Sequence, residues 1–307
     1  MRRLPLALAL AASLALAVAG CTTPPTVTEP DAPAVRAPDA APPQPSTPAR
    51  EPEVAAEATE RDSDVTSGAA PRPDWLGTRV LPLAADGFGE RLPTPAELVD
   101  RRLVTPPLPP PAPSSPADER FTAEIWPVPR TVLERSTWTE ACPVGVEDLR
   151  YLIVHHFGFD GRVHVGELLV HADVADDVVE VFSALYRARF PLEEIRVIRM
   201  DELSAPPTGD GNVTTAFVCR PTVGGTRWSE HAYGRAIDLN PFHNPYVRGD
   251  LVIPELADAY VDRTDIRPGM IVAGDAVTEA FASIGWGWGG DWSGPATDPM
   301  HFSVSGR

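Results

Sequence analysis

Lysine is absent. All 26 basic residues of the 307 are arginine, set against 43 Asp and Glu, for a net charge of −17 and a pI of about 4.8. A chain this poor in positive charge lacks the basic footprint that neutralises phosphates, so nucleic acid is excluded as a partner. Cysteine is scarce: Cys21, Cys142 and Cys219 are too few for a disulfide-dense mini-scaffold. Residues 22–74 contain no aromatic residue. A segment of Pro, Ala, Thr and acids without aromatics cannot bury enough apolar surface to offset its ordering entropy. The apolar run Leu6–Ala19, at 14 residues, is too short for an ordinary membrane span. Proline, in contrast, is plentiful: 36 residues, concentrated in the first half, against a usual ~5%. Length alone would allow two domains, but this distribution predicts one ordered domain behind long unpacked stretches.

The first 20 residues read as a secretory signal, with Arg2 and Arg3 as the basic region and Leu6–Ala19 as the apolar one. The run ends in Val18-Ala19-Gly20-Cys21. Small residues followed directly by Cys resemble a bacterial lipoprotein cleavage box, which implies lipidation of Cys21 and anchoring on the outer face of the cytoplasmic membrane, facing the cell wall. A plain secretory signal is the alternative. Residues 21–74 then form a tether, able to reach on the order of 150 Å if polyproline-like. The exported compartment is oxidising, which permits a disulfide between Cys142 and Cys219; two buried thiols are the alternative.

Residues 75–141 carry scattered aromatics such as Trp75, Phe121, Trp126 and Trp138 among proline runs, with poor periodicity. They are expected to form an extended segment partly docked on the domain at 142–307, or, for 75–120, more linker. From Cys142 the texture changes. Leu149–Phe157 and Val163–His171 read as strands joined by the turn Gly158-Phe159-Asp160-Gly161. Asp173–Arg189 has the 3/4 apolar spacing of an amphipathic helix, with Asp173 as N-cap and Pro191 closing it. Ile195–Met200, Thr214–Arg220, Ala236–Asn240 and His301–Val304 read as strands, and Asp275–Ile284 as a short helix. Strands and helices mix without a βαβ repeat. The expected class is α+β, a small, mostly antiparallel sheet with flanking helices over 142–307.

Two segments carry chemistry: Ser229-Glu230-His231-Ala232-Tyr233-Gly234-Arg235-Ala236-Ile237-Asp238, and Gly287-Trp288-Gly289-Gly290-Asp291-Trp292 followed by Asp298-Pro299-Met300-His301-Phe302. Alternation puts Ile237 and Leu239 on one face of their strand and Asp238 on the other; Phe302 and Val304 share a face opposite His301. Each strand therefore buries apolar side chains and aims one metal-competent group into a cleft. Two imidazoles and a carboxylate, His231, Asp238 and His301, suit zinc with one position open. Asp298, three residues before His301, is a candidate base. His155, His156, His164 and His171 read as ordinary strand or turn histidines, and Trp286, Trp288 and Trp292 as either cleft lining or packing.

The spacing His-x6-Asp with Ser and Gly around it, then Asp-x-x-His-Phe after a Gly/Trp-rich stretch, resembles the zinc D-alanyl-D-alanine carboxypeptidase family, which includes vancomycin-resistance D,D-peptidases and L-alanyl-D-glutamate endolysins. The resemblance covers roughly 142–307. It implies one zinc ion per chain on His231, Asp238 and His301, in a cleft on the sheet, and Asp298 as general base and acid. Many members carry Glu there; Asp has a shorter reach and is closer to the endolysin branch. The family's upstream arginine is best matched by Arg220, with Arg227 as rival. Arg227, Ser229, Tyr233 and Trp288 are the expected substrate contacts. Together these imply an exported, monomeric zinc peptidase acting on peptidoglycan stem peptides, with the bond left open. The rival from another class is a non-catalytic, zinc-containing wall-binding lipoprotein, which has no need of Asp298.

Overall fold

The computed structural model describes residues 69–85, 87–105, 120–222 and 224–307. The signal at 1–20, Cys21 and nearly all of the tether lie outside the described residues, among which no helix is long and apolar enough to cross a membrane.

In chain order the elements are β1 (Ala123–Pro127), α1 (Arg130–Arg135), β2 (Leu149–Phe157), β3 (Val163–His171), α2 (Ala175–Arg187), β4 (Glu194–Ile195), β5 (Val213–Thr214), β6 (Ala236–Asp238), β7 (Tyr246–Arg248), β8 (Leu251–Ile253), α3 (Ala276–Ser283), β9 (Gly287–Trp288), β10 (Ala296–Thr297) and β11 (His301–Ser303). The class is α+β. The strands divide into antiparallel sheets β1-β2-β3, β6-β11-β9 and β10-β7-β8, with a parallel pair β4-β5.

The β2–β3 hairpin is the frame. Its turn closes with Gly158 N–H on the Arg162 carbonyl (2.9 Å), Asp160 accepting from the Arg162 N–H (3.0 Å), and Gly161 at φ +68°, a conformation that glycine adopts without strain. Alternation then serves two cores. Leu152, Val154, Leu168 and Val170 pack with Val178, Val181, Phe182 and Leu185 of α2. On the other side Leu149 and Leu169 meet Val132, Val197 and Phe217. Burying a side chain of this size contributes about 1.5–3 kcal/mol, so both faces of the hairpin are stabilised.

Several local expectations are corrected. Asp173 does not cap α2. Its carboxylate pairs with Arg235 (2.8 Å), and Val174 takes the cap position without a side-chain bond. The strands expected at Ile195–Met200 and Thr214–Arg220 shrink to β4 and β5. Val304 is exposed, because β11 stops at Ser303 and the chain turns through the Gly306 N–H to Ser303 carbonyl bond. The disulfide expected between Cys142 and Cys219 does form, with Cα atoms 5.9 Å apart and a sequence separation of 77.

The segment read as extended and partly docked is built into the fold in two places. Residues 120–141 supply edge strand β1, paired along β2, and α1. Upstream, Leu76, Leu81, Leu98 and Leu103 are buried with Phe242, Leu256, Tyr260 and Met270 in a further core. Arg101 fastens this layer. Its guanidinium binds Glu193 in two-pronged fashion (2.7 and 2.8 Å), with both side chains 2% exposed. It also donates to the Asp210 carbonyl and lies over the Phe242 ring. Asn212 donates a further bond to Glu193 (2.7 Å), and buried His243 bonds the Arg101 carbonyl through Nε2 (2.9 Å).

Candidate metal centre and active site

Three elements bring the ligand atoms together. β6 and β11 pair with Asp238 directly opposite His301, so neighbouring strands present two of the groups side by side. Ile237 and Phe302, on the reverse face, are fully buried, and Phe302 stacks on Phe281 at 3.9 Å. That anchorage fixes which face Asp238 and His301 occupy. His231 comes from the single turn Glu230–Tyr233, not from a strand. Gly234 ends that turn at φ +68°, where a Cβ would lie 2.7 Å from the His171 backbone nitrogen. Only glycine satisfies both demands at once.

The atoms converge tightly. His301 Nδ1 is 3.0 Å from Asp238 Oδ1; His231 Nε2 is 3.2 Å from the same oxygen and 3.2 Å from His301 Nδ1. Among the described residues this is the one group of three metal-competent side chains that meets in this way. Nδ1 of His231 lies 2.6 Å from the Ala216 carbonyl and so donates its proton there, leaving the Nε2 lone pair to face the cluster. Nε2 of His301 is buried without a hydrogen-bond partner, which places its Nδ1 likewise as the working nitrogen. Lone pairs and a carboxylate oxygen this close repel one another unless a proton or cation sits among them. The donor set, two imidazoles and one carboxylate, fits a zinc ion. Burial opposes ionisation of Asp238; with no cation among the three groups, protons on the His231 and His301 rings take its place, and their charges and hydrogen bonds then outweigh burial and hold the carboxyl well below the usual range.

Asp298 stands beside this cluster. Its Oδ1 is buried and unpartnered, and its charge interacts with those of Asp238, His301 and Arg220. Burial, reinforced by Asp238, pushes the carboxyl up to about 8, against the opposing pull of His301 and Arg220. Such a group sits near neutrality, where a residue can both accept and return a proton; a divalent cation at the three ligands would lower it again. The main chain holds Asp298 in place through its N–H on the Gly289 carbonyl (3.0 Å), while its own carbonyl accepts from His301 (3.0 Å). A Cβ at position 289 would lie 2.4 Å from the Asp298 carbonyl oxygen and 2.9 Å from its Cβ. Gly289→Ala is therefore expected to destabilise the fold by about 1–3 kcal/mol through overpacking. It should also lower hydrolysis by displacing Asp298. An unchanged melting temperature and rate would show that this approach is not constraining.

The remaining expected site residues separate. Arg220 is partly buried, and its charge reaches Asp298. Arg227 is exposed and lines a cleft of about 600 Å³. Tyr233, 37% exposed, follows His231 on the same turn. Ser229, expected at the substrate, is instead buried, and its hydroxyl accepts from the His231 N–H (3.4 Å), which starts the turn. Trp288 has a packing role beside any contact with substrate. Its indole donates to the Pro299 carbonyl (2.8 Å) and its ring stacks near Phe302. The other histidines stay apart. His164 bonds Asp160 (2.9 Å), His155 bonds Thr122 (2.9 Å), His171 accepts from the Asp173 N–H (3.2 Å), and burial pushes His156 down to about 3. Two contributors escape sequence reasoning. The Ala216 carbonyl is backbone and carries no sequence signal, whereas Gly289 does lie inside the Gly/Trp-rich stretch.

A family model described as D-alanyl-D-alanine carboxypeptidase matches residues 223–304, a stretch that holds all three candidate ligands and Asp298 yet is well under half of the chain. The match supports the resemblance drawn from the two motifs, and with it a peptidase. No curated protein and no solved structure matched the chain.

Proposed function

We propose that this chain is an exported zinc peptidase hydrolysing peptide bonds in peptidoglycan stem peptides, as a D-Ala-D-Ala carboxypeptidase or an L-Ala-D-Glu endopeptidase. It would work as a monomer, held near the wall by lipidated Cys21. The observation that carries the reading is the convergence of His231 Nε2, Asp238 Oδ1 and His301 Nδ1 beside the unpartnered oxygen of Asp298. Zinc held by His231, Asp238 and His301 would supply a Lewis acid for the scissile carbonyl and would acidify a water from ~15.7 toward ~7. The chain supplies the rest. Asp298 accepts the proton of the attacking water and delivers it to the leaving amine. Arg220, whose charge already reaches Asp298, holds the developing oxyanion or a substrate carboxylate. A wall-binding module has no use for a carboxyl kept buried and unpartnered at this point, which favours the enzyme over the binding protein.

The test combines metal analysis with product analysis. The purified protein should carry about one zinc per chain and cleave a defined pentapeptide stem. A chelator should stop the reaction and added zinc restore it. Asp238→Ala should lose most of the metal. Full zinc occupancy in that variant would remove Asp238 from the ligand set, and a metal-loaded protein that cleaves no stem peptide would overturn the peptidase.

A further inference from the structure

The two imidazoles of the cluster are held by different means. His231 has its outer nitrogen fixed, with Nδ1–H donating to the Ala216 carbonyl (2.6 Å). His301 has no such support. Its Nδ1 faces Asp238 and His231. When that nitrogen binds a metal, the ring's proton falls on Nε2, which is buried without a hydrogen-bond partner among the described residues. Leaving a buried N–H unsatisfied costs free energy, and a ligating imidazole ordinarily gives its outer N–H to a carboxylate, a carbonyl or water. Beside His301 stands a ring instead. The Trp292 indole lies 5.7 Å from the imidazole, centroid to centroid, at an interplanar angle of 57°. That separation and tilt turn an edge of one ring toward the face of the other, the arrangement in which an aromatic face accepts an N–H.

The indole is itself immobilised. Its Nε1–H donates to the Gly306 carbonyl (2.7 Å), and the Trp292 main-chain N–H reaches the Gly289 carbonyl (3.4 Å). Gly306 is fixed in turn. Its N–H donates to the carbonyl of Ser303 on β11 (3.1 Å), and it packs so closely on β9 that a Cβ at Gly287 would lie 2.5 Å from the Gly306 Cα. Trp292 is thus braced against both β9 and β11, and β11 is the strand that carries His301. The other ring beside His301 is that of His231, 5.1 Å away and edge-on. A fixed wall and a fellow ligand therefore limit how the imidazole can rotate.

We infer that Trp292 is the positioning residue of His301: its indole face receives the Nε2–H and fixes the ring rotation that aims Nδ1 at the metal. The inference rests on zinc being held by His231, Asp238 and His301, and it gives Trp292 a role apart from any contact with substrate. The test uses the full chain loaded with zinc. In proton NMR of the wild type, the His301 Nε2–H should exchange slowly with water and resonate upfield of the His231 Nδ1–H, because a ring face shields a proton that a carbonyl deshields. Zinc dissociation constants, measured by competition with a chromogenic chelator, should rise about 10–100-fold in Trp292→Leu, the usual loss when the outer support of a ligating histidine is removed. Trp292→Phe keeps an aromatic face and should fall between Trp292→Leu and wild type. The melting temperature of the metal-free protein separates this role from packing. A Trp292→Leu variant that melts lower yet binds zinc as tightly as wild type makes Trp292 merely structural and overturns the inference. So does a wild-type His301 N–H that exchanges rapidly or resonates with that of His231, an outcome that needs no variant to fold. A wild-type chain that binds no zinc overturns the metal centre and this inference together.

Discussion

Asp298→Asn is expected to lower stem-peptide hydrolysis by at least ~100-fold, the low end for general acid–base catalysis, while leaving metal content and melting temperature near wild type. Asparagine keeps the shape and fills the same space. The two main-chain bonds that place residue 298, to Gly289 and from His301, do not involve its side chain. Because Oδ1 has no partner within the protein, the substitution breaks no side-chain bond there. What it removes is the capacity to take a proton. Single-turnover rates and zinc analysis on the same preparation separate the outcomes. A wild-type rate would end the role of Asp298 as base, and a loss of zinc would make it a ligand instead, with Glu230 the next candidate for the base.

The second large effect lies far from the chemistry. Arg101→Met should destabilise the fold by about 3–5 kcal/mol, because it leaves the Glu193 carboxylate buried without its charge partner. For a domain of this size that corresponds to a drop in melting temperature on the order of 10 °C. Asn212 still donates to Glu193, but one neutral donor does not replace a guanidinium bound to both oxygens. The double change Arg101→Met/Glu193→Gln should recover part of the loss, since no isolated charge is then buried. If the single variant melts within a degree or two of wild type, the pair is not what fastens residues 69–105.

Arg101 and Glu193 also show where sequence reading stops. They are 92 positions apart, and no local pattern relates them, so the upstream segment reads as something merely lying against a domain. β1 escapes for a related reason. Trp126 and Ile125 are exposed on an edge strand, their alternation is weak, and the strand exists only because β2 offers it a partner. The β2–β3 hairpin, by contrast, is readable end to end. Nine paired positions with two-sided apolar alternation leave little room for another structure. Asp173 reads as a cap because its true partner, Arg235, is 62 positions away. In the site, the three side chains that converge, His231, Asp238 and His301, and Asp298 beside them, are legible in the sequence because side-chain type and spacing carry them. The Ser229 cap and the Ala216 carbonyl are not, since the first acts on the backbone of His231 and the second is itself backbone.

The Cys142–Cys219 bond closes a covalent ring around β2, β3, α2, β4 and β5. Arg220 sits one residue outside that ring, next to a sulfur fastened to the far side of the hairpin. Its position is thus inherited from a link made 77 positions earlier, and Thr137, which binds the Cys219 N–H at 2.9 Å, marks the same anchorage. In the chain-entropy account a loop of that length is worth about 4–5 kcal/mol. A protease nick anywhere inside the ring would leave one molecule, its two pieces still joined and Arg220 still tethered. A reductant acting on the same nicked protein would leave only packing and strand pairing to hold them. The placing of Arg220, the cation proposed for the reaction, is in this sense tied to the redox state of the surroundings as well as to the fold.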